Sequence, residues 1–192
     1  MTKLSKTKWI LLDRDGVINQ DSPNYIRTPE QWQPISGSLE AITKLTLANI
    51  SIAVITNQSG VGRGLYSIDE LNKINKKMIK QVSLLGGKIN DIFFCPHTPE
   101  KNCLCRKPEP GLIHQFAKKY QIDLKSENLF FVGDALRDLQ AAVAAHCCPI
   151  LVKTGNGQKT SQLEHPVLHN TPVFSHLADF VNHLLDEKHD ET

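Results

Sequence analysis

Short apolar runs alternate with amphipathic segments along most of this 192-residue chain. The runs lack the polar alternation of a one-sided sheet, so we predict strands that are covered on both faces. They are Trp9 to Leu12, Ser51 to Thr56, Ile89 to Cys95, Leu129 to Val132 and Ile150 to Val152. Helices are predicted between and after them, near residues 37–48, 67–85, 110–121, 135–145 and 175–187.

The repeated strand–helix order predicts an α/β fold with a parallel, doubly wound (Rossmann-like) sheet. The second helix has recognisable ends, because Ser67 to Glu70 reads as a capping box and Gly86-Gly87 follows the last turn. Residues 154–174 contain Gly, Pro and His and are predicted to be a connection. We expect a single domain over residues 1–192.

The composition is that of an ordinary globular protein, with 40% hydrophobic and 22% charged residues. The net charge of +2 gives no general affinity for nucleic acids or anionic membranes. No apolar stretch approaches the roughly 20 residues of a membrane helix, and the first run is too short for a secretory signal. We therefore expect a cytoplasmic location. A local stripe of lysines is interpreted as the solvated face of a helix; it comprises Lys73, Lys76, Lys77 and Lys80.

Two carboxylates, Asp13 and Asp15, follow the first apolar run and precede Gly16. In strand geometry they point the same way, and two anions that close raise each other's pKa unless a cation lies between them. The pair suits a hard divalent metal, or one carboxylate that attacks while the other moves a proton. The alternative interpretation is an acidic turn after a strand.

Polar residues also follow other predicted strands, at the edge where α/β sheets bind ligands. Asp134 adds a third strand-end carboxylate, which would complete an oxygen-only Mg²⁺ site, and Asp138 can face the same site from a helix start. The alternative interpretation is that these acids only favour a helix N-terminus. Thr56, with the backbone N–H groups before Gly60, can bind phosphate oxygens. Arg63 adds a guanidinium in a glycine-rich segment.

Three cysteines and a histidine lie within eleven residues: Cys95, His97, Cys103 and Cys105. They form a Cys₃His set that suits structural Zn²⁺, because all four tetrahedral positions are filled by protein. The total of five cysteines argues against a disulfide framework, and Cys147 and Cys148 are interpreted as small buried residues. A zinc-stiffened loop is also a way to hold Arg106 and Lys107 beside a bound phosphate.

Together these motifs resemble the haloacid dehalogenase-like phosphatases. The four signatures of that family match Asp13-Arg-Asp15-Gly, Thr56, Lys107 and Gly133-Asp134 with Asp138, in the same order. The strings Asp-Arg-Asp-Gly-Val-Ile-Asn, Thr-Asn-Gln-Ser-Gly, Cys-Pro-His and Cys-x-Cys-Arg-Lys-Pro are similar to those of members that act on a phosphorylated heptose. Histidinol-phosphatase domains are the alternative within the family.

The resemblance implies a capless fold and a set of roles. Asp13 is the expected nucleophile, Asp15 the proton donor and then base, and Thr56 and Lys107 the groups that stabilise the phosphoryl. Mg²⁺ is expected on Asp13, the backbone carbonyl of Asp15, and Asp134, with Asp138 behind them. The residues expected to contact substrate are Asp21, Ser22, Asn24, Tyr25, Asn57, Gln58, Ser59, Arg63 and Arg106.

The expected activity is removal of the 7-phosphate of a heptose 1,7-bisphosphate by a monomer, in the synthesis of nucleotide-activated heptose for lipopolysaccharide core or a related glycan. Two departures from the family pattern bear on substrate preference. Ala135 stands where some members have a lysine, and the segment from Cys95 to Cys105 is shorter than in others. The alternatives are histidinol-phosphate hydrolysis and, from a different class, a non-catalytic zinc module that binds nucleic acid through the lysine stripe.

Overall fold

A computed structural model describes residues 8–125 and 129–189. Its centre is a six-stranded sheet in which every neighbouring pair of strands is parallel, in the order β3-β2-β1-β4-β5-β6. The strands are β1 (Trp9–Leu12), β2 (Ser51–Asn57), β3 (Asp91–Cys95), β4 (Phe130–Gly133), β5 (Cys148–Val152) and β6 (Val173–Phe174). The predicted parallel α/β sheet is therefore confirmed.

The helices pack on both faces of this sheet. They are α1 (Ser38–Leu47), α2 (Ser59–Gly62), α3 (Ile68–Leu84), α4 (Gly111–Tyr120), α5 (Leu136–Ala144), α6 (Gly157–Thr160) and α7 (Leu177–His189). Short 3-10 helices cover Pro29–Gln31, Pro99–Lys101 and Pro166–Asn170. The predicted start of α3 is confirmed, because the Ser67 hydroxyl accepts a 3.1 Å hydrogen bond from the Glu70 backbone N–H.

Alternate residues of β1 point to opposite sides of the sheet, as strand geometry requires. Ile10 and Leu12 pack in one apolar cluster with residues of α1, α3 and α7, whereas Leu11 packs in a second with residues of α4 and α5. All three side chains are fully buried, and each such burial stabilises the fold by roughly 2 kcal/mol. The absence of polar alternation in the sequence follows from this double covering.

The structure differs from the prediction between residues 154 and 174. The segment contains α6, a 3-10 helix and β6, elements too short for a periodic hydrophobic pattern to reveal them. Cys147 is buried as expected, and burial raises the pKa of its thiol to about 12. Cys148, the first residue of β5, is by contrast only half-buried, so the prediction of a buried residue is wrong for it.

The lysine stripe of α3 is partly engaged with the protein itself. The Lys77 ammonium donates to the carbonyls of Pro29 and Trp32 at 2.7 and 2.9 Å, and Lys73 pairs with Glu70. Within the described ranges, no helix has the length and apolar content needed to cross a membrane.

The central position of β1 determines where a ligand can bind. β1 pairs with β2 on one side and with β4 on the other, so the chain reverses its direction of progress across the sheet at this strand. Crevices beyond the carboxyl ends of such strands are the usual ligand sites of open α/β sheets. Asp13, Thr56 and Asp134 all lie at this edge.

Candidate active site

Two oppositely charged side chains, Asp13 and Lys107, are buried together beyond the end of β1. Oδ1 of Asp13 lies 2.9 Å from the Lys107 ammonium and accepts a 2.7 Å hydrogen bond from the Arg14 backbone N–H. The ammonium also lies 2.7 Å from Oδ1 of Asp138 and donates to the Ile55 carbonyl at 2.8 Å. The lysine therefore carries a fixed positive charge beside the candidate nucleophile.

The surroundings shift the pKa values of this pair in the same direction. Burial raises the pKa of Asp13 to about 6, although Lys107 acts to lower it. For Lys107, burial acts to lower the pKa, but Asp13 and Asp138 outweigh that effect and the pKa is raised. The ammonium consequently stays charged at neutral pH, as a contact for an anionic phosphoryl group must.

The backbone of Lys107 is fixed from the neighbouring strand by Asn57. Oδ1 of Asn57 accepts from the Lys107 N–H, and Nδ2 donates to the Lys107 carbonyl, both at 3.1 Å. Both ends of the Asn57 amide are thus used on one lysine. Although Asn57 is among the residues expected to contact substrate, its amide holds Lys107 in this structure.

Three carboxylates meet beside the lysine: Asp13, Asp134 and Asp138 each place an oxygen within 4.8 Å of the others. Oδ2 of Asp134 accepts from the Asn156 backbone N–H at 2.7 Å, but Oδ1 has no hydrogen-bond partner among the described residues. Burial and the other two carboxylates raise the pKa of Asp134 to about 7. A buried, unpaired carboxylate oxygen among anions is costly without a cation, and an all-oxygen donor set fits Mg²⁺.

Glycines leave the space that this carboxylate cluster needs. A Cβ at Gly16 or Gly155 would lie 2.2 or 2.3 Å from Oδ2 of Asp134, and both glycines have positive φ, 86° and 56°. Asp138 in turn accepts a 3.0 Å hydrogen bond from the Ala135 N–H at the start of α5. The two glycines therefore leave room for the Asp134 carboxylate. The hydrogen bond at the start of α5 helps to place Asp138.

Asp15 lies in a group of hydrogen-bond donors separate from that cluster. The Arg14 side chain, itself 1% exposed, contacts both carboxylate oxygens, with Nη2 2.9 Å from Oδ2. Asn19 donates to Oδ1 at 2.9 Å and Gln58 donates to Oδ2 at 2.8 Å. Burial acts to raise the pKa of Asp15, but Arg14 and these hydrogen bonds hold it below its usual value. The carboxyl is therefore ionised in this state.

A cleft of about 230 Å³ is lined by Asp13, Asp15 and Thr56 among others. Of the residues predicted to contact substrate, those in its lining are Asp21, Ser22, Tyr25, Asn57, Gln58, Ser59 and Arg106. The structure does not place Asn24 or Arg63 in that lining. The Asn24 carbonyl accepts from Arg27 at 2.8 Å, and the Arg63 guanidinium lies 3.7 Å from Glu100.

Five polar residues of the site were given no role from the sequence: Arg14, Tyr66 and Arg137 in the cleft lining, Asn19 on Asp15, and Asn156 on Asp134. Asn156 lies in a Thr-Gly-Asn-Gly segment just after β5, so the rule that singled out the other strand ends applies to it as well. Arg137 lies in the first turn of α5, three residues after Asp134. Tyr66 had no such signal.

The Cys/His cluster begins at the end of β3 and continues in the loop after it, directly before Arg106 of the cleft lining. The side chains of Cys95, His97, Cys103 and Cys105 place their ligand atoms within 4.8 Å of one another. The sulfur–sulfur distances are 3.2 to 3.6 Å. All five cysteines are free, and the distances are close to the roughly 3.8 Å edge of a zinc–sulfur tetrahedron. The four residues therefore fit a tetrahedral zinc ion.

Comparison with known proteins assigns this arrangement to a family. A family model described as HAD-hydrolase-like (HAD, haloacid dehalogenase) matches residues 104–180. A relative from Bordetella bronchiseptica, named D-glycero-beta-D-manno-heptose-1,7-bisphosphate 7-phosphatase, is 46% identical over 94% of this chain and 99% of its own. A relative from Photorhabdus laumondii, named for the alpha anomer, is 38% identical over 86% of this chain and 93% of its own.

The structural comparison agrees with the sequence comparison. A crystal structure of D,D-heptose 1,7-bisphosphate phosphatase from B. bronchiseptica, complexed with magnesium and phosphate, matches this fold with a TM-score of 0.89. It is 46% identical and covers 94% of this chain and 99% of its own. The chain therefore belongs to the haloacid dehalogenase-like hydrolases, in the sequence family of the heptose-1,7-bisphosphate 7-phosphatases.

Proposed function

We propose that this chain is a Mg²⁺-dependent phosphatase that removes the 7-phosphate of D-glycero-β-D-manno-heptose 1,7-bisphosphate. The single observation that carries the chemistry is the buried Asp13–Lys107 pair beside an Asp134 oxygen with no described partner. An anionic nucleophile, a fixed cation and an all-oxygen metal site are what phosphoryl transfer to a carboxylate requires. The substrate follows from the names of the relatives, and the β anomer from the higher identity to the relative named for it.

Asp13 and Asp134 supply the carboxylates that would hold Mg²⁺, together with the backbone carbonyl of Asp15. The bound ion would neutralise negative charge on the transferring phosphoryl oxygens. Asp138 serves this site through Lys107, whose ammonium it contacts at 2.7 Å. The Mg²⁺ of the B. bronchiseptica complex supports the same ion here.

In the first half of the reaction, a carboxylate oxygen of Asp13 attacks phosphorus and the bond from phosphorus to the sugar oxygen breaks. Asp15 gives its proton to that oxygen, so the sugar leaves as an alcohol. Lys107 and Thr56 contact the phosphoryl group as it moves. Because Asp15 is ionised in this structure, it must take up a proton before this step.

In the second half, water attacks the phosphorus of the aspartyl-phosphate and Asp15 accepts the proton that the water loses. The phosphorus–oxygen bond to Asp13 breaks, which releases inorganic phosphate and restores the carboxylate. The ionised state of Asp15, held by Arg14, Asn19 and Gln58, is the form that this half requires.

The phosphate that is not transferred needs its own cations, and two arginines of the cleft lining are suited to it. Arg106 follows the cysteine loop and Arg137 lies at the start of α5. Arg137 has no hydrogen-bond or ion-pair partner among the described residues, so its guanidinium is available for bidentate contact with phosphate. We assign both arginines to the 1-phosphate.

Structural Zn²⁺ is the proposed occupant of the Cys95, His97, Cys103 and Cys105 cluster. Four protein ligands leave no position for a reacting water, so the ion would act on structure and not on chemistry. Arg106 and Lys107 follow Cys105 directly. Zinc in this loop would therefore fix the start of the segment that carries both cations into the site.

The remaining features of the proposal concern context. We propose a single capless domain over residues 1–192 that acts as a monomer. The five free thiols support a reducing compartment such as the cytoplasm. Synthesis of nucleotide-activated heptose is the corresponding pathway.

Phosphate release from a substrate panel tests this function. The purified protein with Mg²⁺ would be given both anomers of the heptose 1,7-bisphosphate and histidinol phosphate. We expect the highest kcat/KM with the β anomer and release of one phosphate per sugar. A clear preference for histidinol phosphate would contradict the substrate assignment, and no release from any of the three would contradict the activity.

A further inference from the structure

A buried amide, Gln58, connects the phosphate contact to the proton carrier. It is 3% exposed and lies just before α2. Its Nε2 donates to Oδ2 of Asp15 at 2.8 Å and to the Thr56 hydroxyl oxygen at 2.9 Å. Its Oε1 accepts from Arg14 at 3.0 Å and from the Tyr66 hydroxyl at 2.8 Å. The amide thus uses both of its hydrogens and both lone pairs of its oxygen.

The chemistry of these partners fixes the direction of every bond. A guanidinium can only donate and an ionised carboxylate can only accept, so Oε1 must face Arg14 and Nε2 must face Asp15. The Tyr66 hydroxyl must therefore donate to Oε1. The Thr56 oxygen accepts, and its own hydrogen has no acceptor among the described residues. That hydrogen is left for a phosphoryl oxygen.

Tyr66 is held in place by close packing. The side chain is buried, and a Cβ at Gly60 would lie 2.2 Å from its Cε1 and 2.9 Å from its hydroxyl oxygen. Burial raises the pKa of the phenol to about 12, so the hydroxyl keeps the proton that it donates. Within the described part of the chain, Gln58 is the partner of that hydroxyl.

We propose that Gln58 and Tyr66 are positioning residues for proton transfer: Tyr66 orients the Gln58 amide, which holds the Asp15 carboxyl and turns the Thr56 hydroxyl towards the phosphoryl group. The proposal rests on the phosphatase function above, in which Asp15 protonates the sugar oxygen. It gives Gln58 a role other than the expected contact with the sugar. A merely structural role would affect all substrates equally, whereas a role in proton donation depends on the leaving group.

Two substrates separate these roles. A sugar alkoxide is a strong base that needs a proton as the bond to phosphorus breaks, whereas 4-nitrophenolate is a weak base that leaves without one. For both substrates, kcat/KM reports the steps up to that cleavage when it is irreversible. Loss of proton donation therefore lowers kcat/KM for the heptose bisphosphate much more than for 4-nitrophenyl phosphate.

The first variants are Tyr66→Phe and Gln58→Met. We expect Tyr66→Phe to lower kcat/KM about tenfold with the heptose bisphosphate and less than about twofold with 4-nitrophenyl phosphate. Gln58→Met should lower kcat/KM about a hundredfold with the heptose bisphosphate and about tenfold with 4-nitrophenyl phosphate. Both substrates are affected because Thr56 also loses a partner. The inhibition constant of inorganic phosphate should change less than about twofold in Tyr66→Phe, because the groups that contact phosphate are not altered.

Two further variants serve as controls. Tyr120→Phe removes a hydroxyl that donates to Asp91 at 3.1 Å, outside the cleft lining, and should leave both substrates unchanged. Gly60→Ala displaces Tyr66 and should reproduce the selective loss of Tyr66→Phe.

Equal losses for the two substrates, or normal kcat/KM in both Tyr66→Phe and Gln58→Met, would overturn the inference. A wild-type protein that hydrolyses 4-nitrophenyl phosphate but not the heptose bisphosphate contradicts the substrate proposal instead. The role of Gln58 is then decided with glycerol 3-phosphate, another alkyl ester, in place of the heptose bisphosphate. The loss of kcat/KM with that ester is compared with the loss with 4-nitrophenyl phosphate.

Discussion

The Lys107 ammonium lies 2.9 Å from Oδ1 of Asp13, and both side chains are almost completely buried. Removing two charges from water is costly, and their attraction offsets that cost only while both partners are present. The pair therefore has two consequences. The stability of the fold depends on two side chains that also take part in the reaction. The pair also places a cation where the phosphoryl group must arrive.

Replacement of Lys107 by Met should show both consequences. We expect the free energy of unfolding to fall by about 3 to 5 kcal/mol, because Asp13 and Asp138 lose their cation. Turnover should fall at least about a hundredfold. Urea unfolding and phosphate release measure the two effects. Adding Asp13→Asn to Lys107→Met should recover part of the stability but none of the turnover. A Lys107→Met protein as stable and active as wild type would contradict both expected effects.

Gly155→Ala should damage the metal site, although its Cβ would also lie 2.6 Å from the Gly16 Cα. Its Cβ would lie 2.3 Å from Oδ2 of Asp134, whereas a Cβ at Gly64 would meet nothing within 4 Å. Both glycines have positive φ, 56° and 69°, so both alanine variants pay about 1 kcal/mol of backbone strain. We expect Gly155→Ala alone to weaken Mg²⁺ activation at least about tenfold. Similar Mg²⁺ dependence in the two variants would argue against Asp134 as a ligand.

Zinc content should depend on the loop cysteines and not on Cys147 and Cys148. We expect about one zinc ion per wild-type chain by elemental analysis. Cys105→Ser should lose it and lower turnover about tenfold, since Lys107 follows two residues later. Cys148→Ser is the matched control and should keep both the zinc ion and the turnover of the wild-type protein. Wild-type protein prepared with zinc available but containing none would contradict the structural zinc.

Arg137→Ala should raise KM for the bisphosphate about tenfold or more by removing a contact to the 1-phosphate. With heptose 7-phosphate, which lacks that group, KM should change less than about twofold. Arg63→Ala provides the comparison, because Arg63 lies outside the cleft lining and faces Glu100. An equal rise of KM for both sugars would mean that Arg137 does not contact the 1-phosphate.

The sequence was informative where a local pattern is sufficient. Continuous apolar runs predict strands buried on both faces, and this placed Asp13, Thr56 and Asp134 at one edge of the sheet. A strand as short as β6, Val173–Phe174, has no such pattern. Its pairing with β5 depends on tertiary contacts, so the sequence could not reveal it.

Amide and cationic side chains were harder to assign, because their partners are distant in sequence. Asn57 bonds Lys107, fifty residues away, and Gln58 bonds Asp15, forty-three residues away. Because Asn57 and Gln58 follow the predicted phosphate contact Thr56, the sequence indicates that both contact substrate. Arg14 was given no role from the sequence, yet it is 1% exposed and donates to Gln58, forty-four residues away, as well as pairing with Asp15. These roles are defined by tertiary structure alone.

The most direct test of the proposed chemistry is to identify the residue that carries phosphate during turnover. The enzyme would be mixed with the heptose bisphosphate and Mg²⁺, quenched within one turnover, and reduced with borohydride, which converts an aspartyl-phosphate to homoserine. Peptide mass spectrometry should then find homoserine at position 13 in the wild-type protein and none in Asp13→Asn. Homoserine at another aspartate, or substantial turnover by Asp13→Asn, would contradict Asp13 as the nucleophile.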